Sequence, residues 1–441
     1  MTAPHVVFVD STLAGLSSFK TARDMGCRVT FVEPLDASFL ALSTADRSRI
    51  DPHVAHVDAH VRVPTLSDGT LIRVLREIAR GQAISAVVTT SEAAILPVAE
   101  AARALDLLGP ELEALERAVF KDRCRHALAQ AELCTPAFEV LTQEQIVAGR
   151  ARSLRTPLVV KPTRGFGKQF SAVCRTEAEW NAFVESLAAA RRDTDPMINR
   201  IVSSHYILEE YVTGSLHSAE VVVVEGEVRF FATTTRYRSR HSDLLEMGYT
   251  MTAGLGGDRQ EAMERYVREV FCAIGIRFGL YHVELIDASA GPCLVEINGR
   301  MMGGAGPQAY QSLSGQDAFE LLIRLHLGER PVPELCAIRG AATVVLIGAM
   351  NAGTVSPFFT PQRLEALLRR HGITFCTLQL HAGMPVRKFE GNLSVLGHVI
   401  VPSADAVSSA LKGHAFLLEL DDLLGFEVAK YDPSVYAGRF A

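Results

Sequence analysis

A chain of 441 residues exceeds what one hydrophobic core usually serves, so two or three packed units are expected. With 48% apolar and 21% charged residues the composition is that of a globular protein rather than a disordered one. Forty-four basic against fifty acidic side chains give a net charge of −6 without a long single-sign run, which argues against a nucleic-acid or membrane-surface partner and leaves specificity to a site.

In chain order, residues 6–9 form a short β-branched and aromatic run. A small-residue turn at 11–15 and a helical stretch to Met25 follow, then a second strand at 29–33. Strand residues 86–89 and a helical stretch at 93–107 continue the alternation, so a doubly wound α/β unit with a parallel sheet is expected over residues 1–115. Glu33 ends the second strand where a dinucleotide-binding fold places its ribose acid. Because the turn at 10–15 lacks G-x-G-x-x-G, a nicotinamide site is a weak reading.

From residue 116 to 330 the pattern is α+β, with strands at 158–161, 206–210, 219–224, 228–234, 281–287 and 292–298. A Pro-rich joint at 330–333 leads to a third α+β unit, 331–441, with strands at 341–347 and 397–401 and helices at 361–370 and 404–411. The eight cysteines show no Cys-x-x-Cys spacing and no adjoining histidine cluster, so they read as reduced thiols. The N-terminus carries no secretory pattern and no run approaches the roughly 20 apolar residues that span a bilayer, so the cytoplasm is the expected compartment.

The segment YHVELIDASAGPCLVEINGR, residues 281–300, reads as two strands joined by a turn at 288–292. Glu284 and Glu296 are equidistant from Ala290 and would face each other across the hairpin, with β-carbons roughly 5 Å apart. Like charges so placed need a cation. Asn298 lies two residues beyond on the same face, completing three hard oxygen donors suited to Mg²⁺, and Arg300 follows. Solvent-facing acids are the alternative.

In LVVKPTRGFGKQFS a strand delivers Lys161 into a loop, residues 164–171. There Gly165 and Gly167 free the backbone to wrap an anion, and Lys168 adds charge. Pro162 excludes a P-loop and Phe170 excludes G-x-G-x-x-G, and a solvated turn explains the loop alone equally well. In YILEEYV, residues 206–212, two acids end an apolar strand that would link two lobes and leave backbone groups for a purine edge. The stretch RYRSRH, residues 236–241, reads either as a solvated loop or as a mobile clamp on phosphate or a carboxylate. H-E-x-x-H and G-x-S-x-G are both missing, which argues against a zinc site and the commonest hydrolase.

Taken in order, Lys121 in FKDRCRHAL, Lys161 in VVKP, the glycine loop, LEEYV and EINGR resemble the ATP-grasp superfamily over nearly the whole chain. The segment from GAATVVLIGAMNAG to GNLSVLGHVIVPSADAV looks like the C-terminal domain of its L-amino-acid ligase branch. The resemblance implies ATP with Mg²⁺ or Mn²⁺, and a carboxylate activated as an acyl phosphate and then joined to an amine. Carboxylation or formylation, or a binding protein without chemistry, are its alternatives.

It further implies that Lys121 and Lys161 contact phosphates beneath Gly165, Phe166, Gly167 and Ser171, and that Glu209 with the backbone of Glu210, Tyr211 and Val212 holds adenine. Glu284, Glu296 and Asn298 would hold metal, and Arg300 would stabilise the transferred phosphoryl group. Leu216 stands where the family usually has its ribose glutamate, so His217 or Glu220 would substitute. Glu246 with Tyr249 replaces the usual Glu-x-x-His. Arg236, Glu246, Tyr249, Arg300, Gly303 and Gly304 are the expected substrate contacts, with amino acids as acid and amine, and a homodimer is compatible with the family.

Overall fold

The computed structural model describes residues 3–43, 47–239, 242–329, 334–391 and 394–433. The Pro-rich joint and residues 240–241 of the arginine-rich stretch lie outside them.

The first unit alternates β1 (His5–Val9), α1 (Ser17–Asp24), β2 (Arg28–Pro34), α2 (Phe39–Ser43), α3 (Asp51–Val54), β3 (Ala59–Val63), α4 (Thr70–Gly81), β4 (Ala86–Val88) and α5 (Ile95–Ala104). Its four strands are parallel in the order β3-β2-β1-β4. Phe8, Phe19 and Phe31 pack on one face and Val7, Val9 and Leu75 on the other, which is why β1 reads as a continuous apolar run. The sequence boundary at residue 115 falls inside α6 (Leu112–Val119).

After α7 (Lys121–Gln130), β5 (Phe138–Thr142), α8 (Gln143–Val147), β6 (Leu158–Pro162), β7 (Ala172–Cys174), α9 (Glu177–Asp193), α10 (Pro196–Ile201) and β8 (His205–Glu210) build a small lobe. Its antiparallel sheet has the order β5-β8-β6-β7. α9 is started by a reciprocal cap between Thr176 and Glu179.

The large sheet draws on β9 (Ser215–Val224), β10 (Glu227–Ser239), β11 (Ser242–Thr252), β12 (Gly279–Ala288), β13 (Gly291–Asn298) and β14 (Ala341–Ile347). A short pair, β15 (Gly353–Thr354) and β17 (Pro385–Val386), lies apart from it, while β16 (Phe375–Cys376) and β18 (Gly397–Ser403) complete it. Its order is β13-β12-β9-β10-β11-β14-β18-β16. The last segment therefore continues the sheet of the middle one through β11 and β14. Helices α6, α7 and α11 (Gly257–Ile274) cover one face at the β9–β13 end. Helices α12 (Gly306–Ser314), α13 (Ala318–His326), α14 (Pro361–Arg370) and α15 (Ala406–Leu424) pack around the β11–β18 end. α15 runs well beyond the 404–411 expected from sequence.

The arginine-rich stretch is not a loop as far as it is described. Arg236, Tyr237, Arg238 and Ser239 end β10 and pair with β11, because alternation puts Tyr237 into the core, 2% exposed, and turns Arg236 to the opposite face.

Candidate active site

Period-two alternation assigns the chemistry to one face of the large sheet. Ser218 pairs with Thr234 and Glu284, Glu220 with His282, and Glu284 with Glu296, so these side chains share a face. Ala219, Val221, Val223, Val283 and Leu285 take the other, under α6, α7 and α11.

The two acids do face each other, by a different route from a turn centred on Ala290. Ala288 pairs with Gly291 and Leu285 with Leu294, and Val295 is an extra residue that moves the register so that Glu296 meets Glu284. Without that bulge the carboxylate at 296 would not stand opposite 284. Protein cations separate the pair: Lys121 Nζ is 2.9 Å from Glu296, and Arg236 Nη1 is 3.2 Å from Glu284. Burial alone would raise both carboxyls, but Lys121 beside Glu296 and Arg236 beside Glu284 hold both below the usual range and keep them ionised.

This donor set fits a divalent cation. Two ionised cross-strand carboxylates with the amide-bearing Asn298 on the same face are hard oxygen donors, and substrate phosphates and water would supply the remainder. Among the described residues no cluster of three His, Cys, Asp or Glu could hold a metal by itself.

The small lobe delivers Lys161, and α7 on the large sheet delivers Lys121. Lys121 opens α7, and its N–H donates to the Thr163 carbonyl at 2.8 Å, fixing the helix start to the mouth of the glycine loop. Lys161 Nζ lies 2.7 Å from Glu209 and 3.4 Å from the Val295 carbonyl. Burial, opposed by Glu209 and helped by Arg125 and Lys121, lowers its pKa. Gly167, Lys168 and Phe170 have φ of +59°, +61° and +54°. Two consecutive left-handed residues at the tip are where a glycine is cheapest. Ser171 Oγ donates to the Gln169 carbonyl at 3.3 Å, within the loop. Phe166 packs edge-on against Phe39 of α2, centroids 4.9 Å apart. Lys168 reaches Glu246 at 3.6 Å, so the loop is closed over the site.

Several expectations change. The Glu209 carboxylate turns inward, 4% exposed, onto Arg125 Nε at 2.9 Å and Lys161, instead of standing ready for adenine. β8 runs through Glu210, whose N–H donates to the Ala137 carbonyl, and the Tyr211 N–H donates to the Pro157 carbonyl, so of that segment's N–H groups Val212's remains for a purine edge. His217 falls on the helix-covered face, bonded to Thr235, because odd positions of β9 point away from the acids. Glu220 is on the correct face but fully buried. One oxygen bonds His282 and the other accepts from the Met302 N–H at 3.1 Å, which anchors residues 299–305. Neither His217 nor Glu220 is placed for a ribose.

Arg236 is buried between Glu246 at 2.8 Å and Glu284, with the Tyr249 ring 6.0 Å from its guanidinium carbon. Arg300 points toward the first unit, its Nε 3.1 Å from Glu92, with Gly303 beside its Nη1. Sequence reasoning missed Arg125, His282 and Glu92. Arg125 is one helical turn after Lys121 and His282 is two strand positions before Glu284, so both were findable by periodicity. Nothing local marks Glu92.

The fold sets a small antiparallel lobe, with its lysine and glycine loop, over the acid-bearing face of a larger sheet. Residues 154–308 match the ATP-grasp domain and residues 19–109 the ATP-grasp N-terminal domain, and the chain belongs to the ATP-grasp superfamily. It is 24% identical over 353 residues to the uncharacterized protein y4rH of Sinorhizobium fredii, covering 80% of this chain and 71% of that one. It is 23% identical over 331 residues to dapdiamide A synthase of Enterobacter agglomerans, covering 72% of each. The solved L-amino acid ligase of Bacillus licheniformis has the same fold, at TM-score 0.75 and 20% identity over 98% of this chain and all of that one. No helix among the described residues is long and apolar enough to cross a membrane.

Proposed function

We propose that this protein is an ATP-dependent ligase that activates a carboxylate as an acyl phosphate and joins it to an amine, with amino acids as both substrates. The observation that carries the reading is the face-to-face pair Glu284 and Glu296, with Asn298 alongside, beneath two lysines and a closed glycine loop. The named activities of the dapdiamide and L-amino acid ligase relatives support it.

Mg²⁺ or Mn²⁺, held by Glu284, Glu296 and Asn298, would neutralise phosphate charge and polarise the transferred group. Lys121 and Lys161, which neutralise Glu296 and Glu209 in this structure, exchange those carboxylates for phosphate oxygens. That exchange frees Glu296 as a ligand. Gly165, Phe166, Gly167 and Ser171 cover the phosphates, and Val212 offers its backbone to adenine. Arg300 turns its guanidinium on the charge that develops as the carboxylate attacks the γ-phosphorus. The closed loop keeps water from the acyl phosphate, and Arg236, Glu246, Tyr249, Gly303 and Gly304 line the acid and amine side. The three units 1–115, 116–330 and 331–441 correspond to nucleotide-side support, catalytic core and substrate-side cover.

Product analysis with Mg·ATP and pooled amino acids tests the reading. ADP, phosphate and a new amide are expected only with acid and amine together. AMP with pyrophosphate, or ADP formation dependent on bicarbonate or formate alone, would refute it. Glu296→Gln should reduce turnover by at least about 10²-fold with unchanged thermal unfolding.

A further inference from the structure

One histidine reaches this site from the last segment, and nothing in the proposed reaction has used it. His398 lies on β18 opposite Leu346, and its Nε2 is 3.7 Å from where a β-carbon on Gly304 would stand. Gly304 adjoins Gly303, whose own β-carbon position is 3.7 Å from Arg300 Nη1. Glu246 of β11 is near enough to act on the ring by its charge. Glu246 is held by Arg236 of β10 at 2.8 Å and by Lys168 of the glycine loop at 3.6 Å. His398 is thus beside the loop that carries Arg300 and within the field of the ion-pair chain that ends on Glu284.

His217 on β9 and His282 on β12 are bonded to Thr235 and to Glu220. The His398 ring has no hydrogen-bond partner among the described residues, although its backbone N–H is taken by Thr377 Oγ1 at 2.8 Å. Burial, opposed only by Glu246, pushes its pKa down to about 4, so at physiological pH the ring is neutral and offers an acceptor. The ring keeps some exposure, so a ligand bearing N–H groups can reach its open acceptor.

We infer that His398 is the acceptor for the amine substrate, receiving its N–H beside Gly304 and taking its proton as the amide forms. The inference rests on the ligase reading of this site. In the step, the amine nitrogen bonds to the acyl carbon, and the bond from that carbon to the phosphate oxygen breaks with its electron pair leaving on phosphate. The proton passes to Nε2 and from there to phosphate or water. A weakly basic ring suits this timing, because the nitrogen becomes strongly acidic only once it has bonded to the acyl carbon. Glu246 then faces an imidazolium and stabilises it.

Hydroxylamine, neutral and strongly nucleophilic at pH 7, traps an acyl phosphate without a base and so separates the two half-reactions. With Mg·ATP and pooled amino acids, His398→Gln should form hydroxamate within about 3-fold of wild type while amide formation falls by about 10²-fold or more. His398→Asn should behave alike, and unfolding temperatures matching wild type exclude a folding defect. Loss of hydroxamate and amide together, or of neither, would overturn the assignment. Wild type that forms neither ADP nor hydroxamate would overturn the ligase reading, and the role of His398 with it.

Discussion

Arg125 is 1% exposed and serves two partners at once. Nε binds Glu209 at 2.9 Å and Nη2 binds the carbonyl of Val295, the bulge residue, also at 2.9 Å. One guanidinium therefore steadies both the acid that holds Lys161 and the irregularity that brings Glu296 opposite Glu284. Arg125→Met leaves Glu209 with a single cation and the bulge carbonyl without its donor. The expected cost is about 3 kcal/mol in urea unfolding, with weaker ATP binding because Lys161 is drawn toward Glu209. Unchanged stability would show that Lys161 alone satisfies that carboxylate. Asp10 gives a pH signature in the first unit. Burial pushes its carboxyl up to about 6, against hydrogen bonds from Ser91, Phe39 N–H and Ser38. Its ordinary value is 3.8, so between about pH 4 and 6 the folded protein holds a proton that the unfolded chain has released. Stability therefore falls as pH rises through that window, by about 3 kcal/mol at most, and is level above it. Melting curves of wild type and Asp10→Asn from pH 4 to 7 should diverge, and parallel curves would sink the assignment.

Among the elements, β11 shows where local pattern reading stops. Gly248 has φ of +145°, and a β-carbon there would lie 2.4 Å from the Val344 carbonyl oxygen across the β11–β14 pairing. Gly248→Ala should separate the strands and cost roughly 1–3 kcal/mol, read as a lowered unfolding midpoint. A neutral variant would mean that β14 can shift. The hairpin of β12 and β13, Lys161 at the end of β6 and the glycine loop were legible because each is a short stretch whose spacing encodes its geometry. β11 was not, since the register shift beside Gly248 breaks alternation and the consecutive Leu244 and Leu245 blur it further. Alternation in R-Y-R did mark the end of β10, but charge outweighed it in the reading as a loop. Contacts such as Arg125 with Glu209, 84 residues apart, or with Val295, 170 apart, leave no local trace, so the inward turn of Glu209 was out of reach. So was the burial of Glu220, whose partners come from β12 and from Met302.

Across the whole molecule, the glycine loop of the middle unit rests on the first unit through Phe166 and Phe39. Phe166→Ala removes that contact, worth about 1 kcal/mol, and should leave the loop open more often. Phosphate released per amide formed should then rise several-fold, and an unchanged ratio would remove the loop from the role of water barrier. The shared large sheet imposes an order of events on synthesis. β11 ends at Thr252 and its partner β14 begins only at Ala341. At translation speeds of about 5–20 residues per second, the nascent chain keeps the edge of β11 open for about 5–20 s, long enough to need protection from pairing with another chain. The strand that carries His398 arrives later still, so an unfinished chain holds the carboxylates and lysines of the site before it has the group that would accept the amine.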